Sequence, residues 1–531
     1  MWVYWLISNY MYLISLMLTA IGGIFLCTDD YQYLQLNSYY NSRYLRWFKD
    51  NYEKYIVRLI WSAVIIISFA FSVKMQWISV PVCAIFALSA FLSVRKHQKK
   101  AIKPLVFTAR VKRMFVTASV LLIALSYLSA RFVKTADYIM LITVFLCVET
   151  PIVVLLSNII NAPVEALVRQ WYINDAKKML RANADIKVIV ITGSFGKTST
   201  KYILARILQE KYNVLFTPAS FNTPMGVVRT IREGLKSSHQ IFICEMGAKN
   251  IGDIKEICDI VHPTMGIITS VGPQHLETFK TVDNVAKTKF ELADAVKSAD
   301  GSIYVNADSA DALKKASEYD CITYGTEHAK LSVHNVKCDR FGAKFTVEYK
   351  GEILELSSKL LGIHNVLNIA GAVAIAYDLG VSVRDIKYAV ERLKAIEHRL
   401  ELKPFINGSV LIDDAYNANP TGSLEAVNVL ASFEGMTRII VTPGLVELGK
   451  DEYECNKRLG AYAAKMLDKI ILVGEQRSIP LADGVKTVAE FDESNLHIVP
   501  NFKSAMQLLQ TMTDSNTAVL FENDLPDNYA K

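Results

Sequence analysis

At 531 residues the chain exceeds one ordinary domain, and two to four are expected. Hydrophobic residues make up 51% and are concentrated at the front; a net charge of only +6, with no basic stripe interleaved with aromatics, excludes the pattern of a nucleic-acid binder. The eight cysteines (Cys27, Cys83, Cys147, Cys244, Cys258, Cys321, Cys338 and Cys455) form no C-x-x-C pair, which excludes a zinc ribbon and fits reduced thiols in a reducing compartment.

The first Lys or Arg is Arg43, so the N-terminus lacks the basic region of a cleaved signal peptide. Five apolar stretches follow, at about 5–27, 56–73, 77–94, 114–132 and 137–161, each near the ~20 residues that a helix needs to cross a bilayer. Basic residues gather in two of the segments between them. The first carries Arg43, Arg46, Lys49 and Lys54; the third carries Arg95, Lys96, Lys99, Lys100, Lys103, Arg110, Lys112 and Arg113. The other two carry only Lys74, and Arg131 with Lys134. Positive charge stays on the cytoplasmic side, so five spans place the N-terminus outside and everything after about residue 162 inside, in the cytoplasm. The Tyr-rich segment 28–55 reads as an interfacial helix or a polar connector, and 165–183 as a helical linker.

From residue 186 onward strand-like and helical patterns alternate. Strand-like runs lie at 186–192, 239–244, 265–269 and 302–305, with helical patterns such as 197–211 and 284–298 between them. That order predicts a parallel sheet covered by helices. The period-2 stretch 330–357 predicts a small antiparallel addition, followed by helices at about 364–380 and 384–395. A second α/β series begins near 408, with strands at VLIDD, TRIIVT, KIILVG and AVLF.

The loop Gly-Ser-Phe-Gly-Lys-Thr (193–198) ends the first of these strands and opens a helix. Glycines let backbone approach phosphate, and the N–H groups of a helix start point at an anion. Lys197 would hold the β/γ-phosphates and Thr198 would offer its hydroxyl to Mg²⁺. The spacing is not that of the general P-loop, because Ile191 stands where a glycine is required. On spacing alone, an ordinary strand-to-helix turn stays open.

The shortened loop TGSFGKTSTK resembles the ATP loop of the Mur ligases, ATP-dependent amide-forming enzymes of peptidoglycan synthesis. The resemblance continues in order through FNTPMG (221–226), CEMGAKNIGDI (244–254), TSVGPQHLETF (269–279), NVAKTKFEL (284–292), LGIHNVLNIAGA (361–372), EHRLE (397–401) and LIDDAYNANPTGS (411–423). YNANP is most like the branch that adds D-alanyl-D-alanine. The apolar stretches and the helical pattern after them give a membrane helical region over 1–165 and a linker helix over 166–185, and the resemblance implies an α/β ATP-binding domain over 186–400 and a Rossmann-like α/β domain over 401–531.

It also implies a set of site residues. Gly193, Ser194, Gly196, Lys197, Thr198 and Ser199 would cradle ATP; Thr198, Glu245, His275 and a carbamylated Lys289 would hold Mg²⁺, with Lys287 as the alternative to Lys289. Asn306 and Asp308 would lie on the adenine side, with His364, Asn365 and Asn368 at a helix start; Asn365 reads equally as a helix cap. Arg399 would contact phosphate, or else be a surface arginine. Asp413, Tyr416 and Asn417 would close over the nucleotide from the third domain. Lys197, Lys289, His275 and Arg399 carry the implied catalysis. The expected partners are a UDP- or lipid-linked muramoyl-peptide-like substrate, an amino acid or dipeptide, and membrane lipid.

Two features depart from the family pattern. The usual sugar-binding domain has no room between the last apolar stretch and the ATP loop. Around VTPGLVELGK (441–450) and the C-terminal LFENDLPDNYAK, the family's Gly-Asp-Met and Lys-Gly-Ser are missing. Those regions help to place the amine, so the resemblance fixes the reaction class better than the substrates. An ATPase-driven transporter and an inactive scaffold are the alternatives from other classes.

Overall fold

The computed structural model describes residues 2–72, 78–101, 103–132, 137–274, 276–416, 418–446 and 448–523. The chain divides into two compact units, Met1–Trp171 and Tyr172–Lys531.

The first unit is helical: Trp2–Leu36, Asn41–Asp50, Ile56–Ser72, Ser79–Lys100, Ala109–Phe132, Asp137–Val148, and the start of Thr150–Ala182, within which the unit boundary falls. Among the described residues, four helical segments are long and apolar enough to cross a membrane: Tyr10–Leu36, Ser79–Lys100, Ala109–Ala130 and Thr150–Ala182. The expected span at 56–73 is the shorter apolar helix Ile56–Ser72, and the expected span at 137–161 is two helices that break at Glu149, the second of which opens the long segment Thr150–Ala182. Pro151 sits in the first turn of the second helix, where its missing N–H costs nothing, but it cannot continue a helix arriving from Val148. Segment 28–55 begins as the end of the first helix, which runs to Leu36, and contains the short helix Asn41–Asp50.

Apolar side chains such as Val57, Leu88, Val116 and Ile159 are exposed around this unit, while its interior holds a charged centre. Asp30 is fully buried. It accepts from Tyr55 Oη at 2.9 Å, from Arg58 at 2.8 Å and from the Thr150 hydroxyl. A buried charge is tolerated only when paired and hydrogen-bonded in this way.

The second unit holds two sheets. The first contains β1 (Lys187–Thr192), β2 (Val214–Phe216), β3 (Ile241–Glu245), β4 (Met265–Ile268), β5 (Ser302–Asn306), β6 (Ile322–Gly325), β7 (Leu331–Asp339), β8 (Gly342–Tyr349) and β9 (Glu352–Ser358). Its order is β2-β3-β1-β4-β5-β6-β7-β8-β9. The strands from β2 to β7 pair in parallel, and β7-β8-β9 form the antiparallel addition. Residues Val188 to Thr192 are all buried because helices cover both faces. Ile189 and Ile191 join one core, Val188 and Val190 the other. Ile173, Ala176 and Leu180, from the end of the helix Thr150–Ala182, pack into that second core.

The second sheet contains β10 (Glu401–Pro404), β11 (Val410–Asp414), β12 (Thr437–Thr442), β13 (Lys469–Val473), β14 (Leu496–Val499) and β15 (Thr517–Glu522), in the order β10-β11-β15-β12-β13-β14. All pairs are parallel except β10 with β11. Ile412, Ile440 and Leu520 face one core, whereas Leu411, Val441 and Val519 face the other.

Candidate nucleotide and metal site

The chain leaves β1 with β3 on one side and β4 on the other, so the loop after β1 opens at the switch point of the sheet. Crevices at such points are where parallel α/β sheets bind ligands. Two glycines shape the loop. Gly196 has φ +83°, and a Cβ there would lie 2.7 Å from Asn368 Oδ1; a Cβ on Gly193 would lie 2.1 Å from Thr269 Oγ1. The loop is pinned from behind: Ser194 N donates to Ser270 O at 2.9 Å, Phe195 N to Ser270 Oγ at 2.9 Å, and Ser194 Oγ to Gly272 O at 3.1 Å.

With the loop fixed, the helix Lys197–Leu208 starts with no side-chain cap. Its first N–H groups therefore face outward, as an anion requires. Lys197 Nζ folds over the loop and donates to Gly193 O at 2.7 Å and Ser194 O at 3.1 Å. Burial lowers the Lys197 ammonium to about 8; Glu245 opposes that shift and Arg399 adds to it.

Glu245 ends β3 and is buried. Its Oε1 accepts from Thr198 Oγ1 at 3.1 Å and from Asn222 Nδ2 at 3.2 Å, and its Oε2 from Lys201 Nζ at 2.9 Å. Thr198 and Glu245 are thus adjacent hard-oxygen donors beside the phosphate loop, a donor set that fits Mg²⁺. Lys289 is buried in the helix Val282–Lys297. Burial, and next the Lys197 charge, hold it well below the usual lysine range. Lys287 instead points to solvent and pairs with Asp283 at 2.9 Å. His275 and Asn417 lie outside the described residues.

A cleft runs from this loop to the second sheet. Gly196, Ser199, Asn306, His364, Asn365 and Asn368 line one wall, and Arg399, Asp414, Tyr416, Asn419 and Glu522 the other. Asn306 is held by its own Nδ2, which donates to Thr269 O at 3.0 Å. Asn365 does not cap its helix with its side chain: its Nδ2 donates to Leu361 O, and its Oδ1 accepts from Asn368 Nδ2 at 3.3 Å. Asn368 Oδ1 in turn accepts from Thr200 at 3.1 Å. His364 Nδ1 is buried without a partner among the described residues, and burial lowers the ring to about 4. Arg399 lies over the Tyr416 ring at 4.7 Å.

Two expected contacts are not brought to the cleft. Asp308 is exposed and accepts from Thr326 N and Oγ1, both at 2.8 Å, which ties down the turn after β6. Asp413 takes His398 Nδ1 and Lys403 Nζ, both at 2.8 Å. Successive strand residues face opposite sides, so the neighbour Asp414 lines the cleft instead. Lys201, Asp414 and Glu522 were not anticipated. Helical spacing carried a signal for Lys201, four residues after Lys197, and strand alternation carried one for Asp414.

A phosphate loop at a switch point, an acid against the loop's hydroxyl, and a second α/β domain across a cleft define a nucleotide-using enzyme of two α/β domains. Comparison with known proteins gives the family. The Mur ligase middle domain matches residues 191–376, and the Mur ligase glutamate ligase domain matches 398–522. The UDP-N-acetylmuramoyl-tripeptide–D-alanyl-D-alanine ligase of Escherichia coli is 29% identical over 315 residues, 58% of this chain and 69% of that protein. The crystal structure of MurF from Acinetobacter baumannii superposes with a TM-score of 0.61 at 28% identity, covering 67% of this chain and 77% of that one. MurF of Thermotoga maritima in complex with ADP gives 0.59 at 25% identity, covering 67% and 80%. The chain belongs to the Mur ligase family and is an ATP-dependent amide ligase.

Proposed function

We propose that this chain is a membrane-anchored ligase of envelope precursor synthesis, which joins D-alanyl-D-alanine to a muramoyl tripeptide. The observation that carries the reading is the phosphate loop with its Thr198–Glu245 pair, and the cleft that runs from that loop to Arg399. The YNANP stretch and the names of its relatives support the choice of amine and acceptor.

Bound MgATP supplies the phosphoryl group that turns a substrate carboxylate into an acyl phosphate. The start of the helix Lys197–Leu208 binds the phosphates, and Lys197 neutralises charge as it develops. Thr198 and Glu245 would hold the metal, with His275 as the proposed nitrogen ligand. A neutral Lys289 amine that added CO₂ and released a proton would carry an anionic carbamate, whose oxygens would suit a metal. Its burial and the nearby Lys197 charge favour the neutral form. Asn306, His364 and Asn368 orient the nucleoside side, and Arg399 contacts phosphate. Tyr416 and Asn417 close the cleft, and closure keeps water from the activated carboxylate.

Four long apolar helices among the described residues, with apolar side chains exposed around the first unit, support insertion in the cytoplasmic membrane. With the shorter apolar helix Ile56–Ser72 also crossing, five spans put both basic loops on the cytoplasmic side together with the ligase portion. This arrangement also favours a second reading, in which the acceptor is lipid-linked and already at the membrane surface. Phosphate release by the detergent-solubilised chain with MgATP and D-alanyl-D-alanine tests both. Turnover with the soluble UDP-linked tripeptide supports the first reading, and turnover only with the lipid-linked tripeptide supports the second. Loss of turnover in Lys197→Ala is expected in either case. ATP hydrolysis that persists in that variant would remove the phosphate loop from the reaction.

A further inference from the structure

The helical unit carries a cation that the reading above does not use. Arg110 lies in the first turn of the helix Ala109–Phe132, most of which is long and apolar enough to cross a membrane. Its guanidinium lies over the Tyr39 ring, 3.9 Å from the centroid. Nη2 donates to Asn158 Oδ1 at 2.9 Å, whereas Nε is buried without a partner among the described residues. No carboxylate among those residues pairs with Arg110. Glu165, on the helix Thr150–Ala182, is taken by Arg113, whose Nε and Nη2 both reach its Oε1 at 2.7 Å. Two arginines three residues apart thus stand beside one acid, and Arg110 keeps its charge uncompensated.

Three neighbours hold this side chain in place. Asn158 is buried, and its Nδ2 donates to Tyr39 O at 3.1 Å and to Asn41 Oδ1 at 2.7 Å, which turns its Oδ1 to Arg110. Tyr39 Oη accepts from Gln35 at 2.9 Å. Gln35 also bonds the backbone O and N of Val106, both at 3.0 Å, so one residue ties the ring to the chain that leads into the helix of Arg110. Ser38 and Tyr39 sit at positive φ, +55° and +62°. Such backbone is costly for residues with a side chain, so the surrounding contacts must impose it. What the strained turn delivers is an aromatic face under the guanidinium.

An arginine held against a ring keeps its N–H groups in a fixed plane, a geometry that suits the oxygens of a phosphate. The neutral Asn158 satisfies one N–H and leaves the charge. Depth decides which anion arrives. In the five-span arrangement Arg110 stands where its helix enters the cytoplasmic leaflet, at headgroup level, and Val116, Val120 and Ile123 further along that helix are exposed. We propose that Arg110, stacked on Tyr39 and fixed by Asn158, binds the phosphate of a membrane lipid, whose chains lie along the apolar part of the same helix. This inference rests on the membrane reading of the first unit and is independent of the amine and acceptor.

Binding tests it without turnover. Mass spectrometry of the full chain, released from an uncharged maltoside detergent, counts bound probe. The probes are dihexanoyl phosphatidic acid, with phosphate and chains, glycerol 3-phosphate, with phosphate alone, and dihexanoylglycerol, with chains alone. One phosphatidic acid per chain is expected, held at least tenfold more tightly than either partial probe. Arg110→Gln is expected to weaken it at least tenfold. Arg110→Lys, which keeps the charge but loses the planar fork, should recover part of the loss and guards against a folding defect, which the melting midpoint monitors. Lys112→Gln, which removes an exposed charge two residues on, should change the affinity less than threefold. Affinity for a non-hydrolysable ATP analogue should change less than threefold in every variant. Equal losses in Arg110→Gln and Lys112→Gln would make the attraction one of general surface charge and overturn the site. Glycerol 3-phosphate bound as tightly as phosphatidic acid would assign the site to a soluble phosphate and overturn it as a lipid site. Absence of binding by a chain that resists alkaline carbonate extraction overturns the proposal alone, whereas release by carbonate fails the membrane reading beneath it.

Discussion

Lys289 and Lys287 are two residues apart on one helix, yet their surroundings differ completely. Lys287 is solvated and paired with Asp283. Lys289 is buried, and desolvation with the Lys197 charge favours its neutral amine. Only a neutral amine adds CO₂. Activity is therefore expected to fall at least tenfold in buffers stripped of CO₂ and to return with bicarbonate, measured as phosphate release. Lys287→Ala should keep both the activity and that dependence, whereas Lys289→Ala should lose activity and respond to bicarbonate no further. Full activity of Lys289→Ala would remove the lysine from the site. The sequence motif pointed to this lysine, but composition could not separate it from its neighbour. Asp413 and Asp414 make the same point in reverse. The DD pair was legible, but which member faces the cleft depends on strand phase. That phase was visible only once Ile412 was known to face the core of the helix Pro420–Ala431.

At the scale of elements, the long and strongly patterned segments were legible. Buried parallel strands read as continuous apolar runs, and the antiparallel addition read as period 2. The strands β2, β6, β10 and β14 escaped because three or four residues carry too little pattern. The junction of the two α/β domains was also opaque, because its order comes from tertiary contacts. His398 and Leu400 both sit at positive φ, +58° and +46°, on either side of Arg399. Such backbone costs non-glycine residues about 1 kcal/mol or more each, so surrounding contacts must impose it. They do: His398 Nδ1 pairs with Asp413 at 2.8 Å, His398 N donates to Glu401 at 3.3 Å, and Leu400 N donates to Asp414 at 3.2 Å. His398 is thus a positioning residue that aims Arg399 at the cleft. His398→Ala should lower kcat about tenfold with little change in the ATP analogue's affinity. His398→Asn should recover most of the loss, because asparagine tolerates left-handed backbone and can still reach a carboxylate. An equal deficit in both variants would show that ring-specific contacts set the hinge and that backbone conformation does not.

At the scale of the whole molecule, the sequence places the soluble portion at residue 186, where the first strand of its sheet begins. Packing sets a different limit. The helix Thr150–Ala182 crosses the boundary at Tyr172, and its last turns contribute Ile173, Ala176 and Leu180 to the core beneath β1 and β3. Asp175 on the same turns accepts from Arg232 at 2.6 Å. Burying each large aliphatic side chain stabilises by about 1.5–3 kcal/mol, so Ile173 and Leu180 together contribute roughly 3–6 kcal/mol. That is a large share of the about 5–15 kcal/mol that typically holds a domain together. A chain starting at Tyr172 should therefore remain in the supernatant after high-speed centrifugation, bind the ATP analogue and melt cooperatively. A chain starting at Ile186 should melt at least 5 °C lower or aggregate, because it exposes the groove that those side chains fill; the shift follows from a loss of several kcal/mol in a unit of this size. The full-length chain should stay in the pellet through alkaline carbonate extraction. Equal melting of the two shortened chains would mean that the helix end only rests on the sheet. Release of the full chain by carbonate would mean that its exposed apolar helices serve an interface other than lipid.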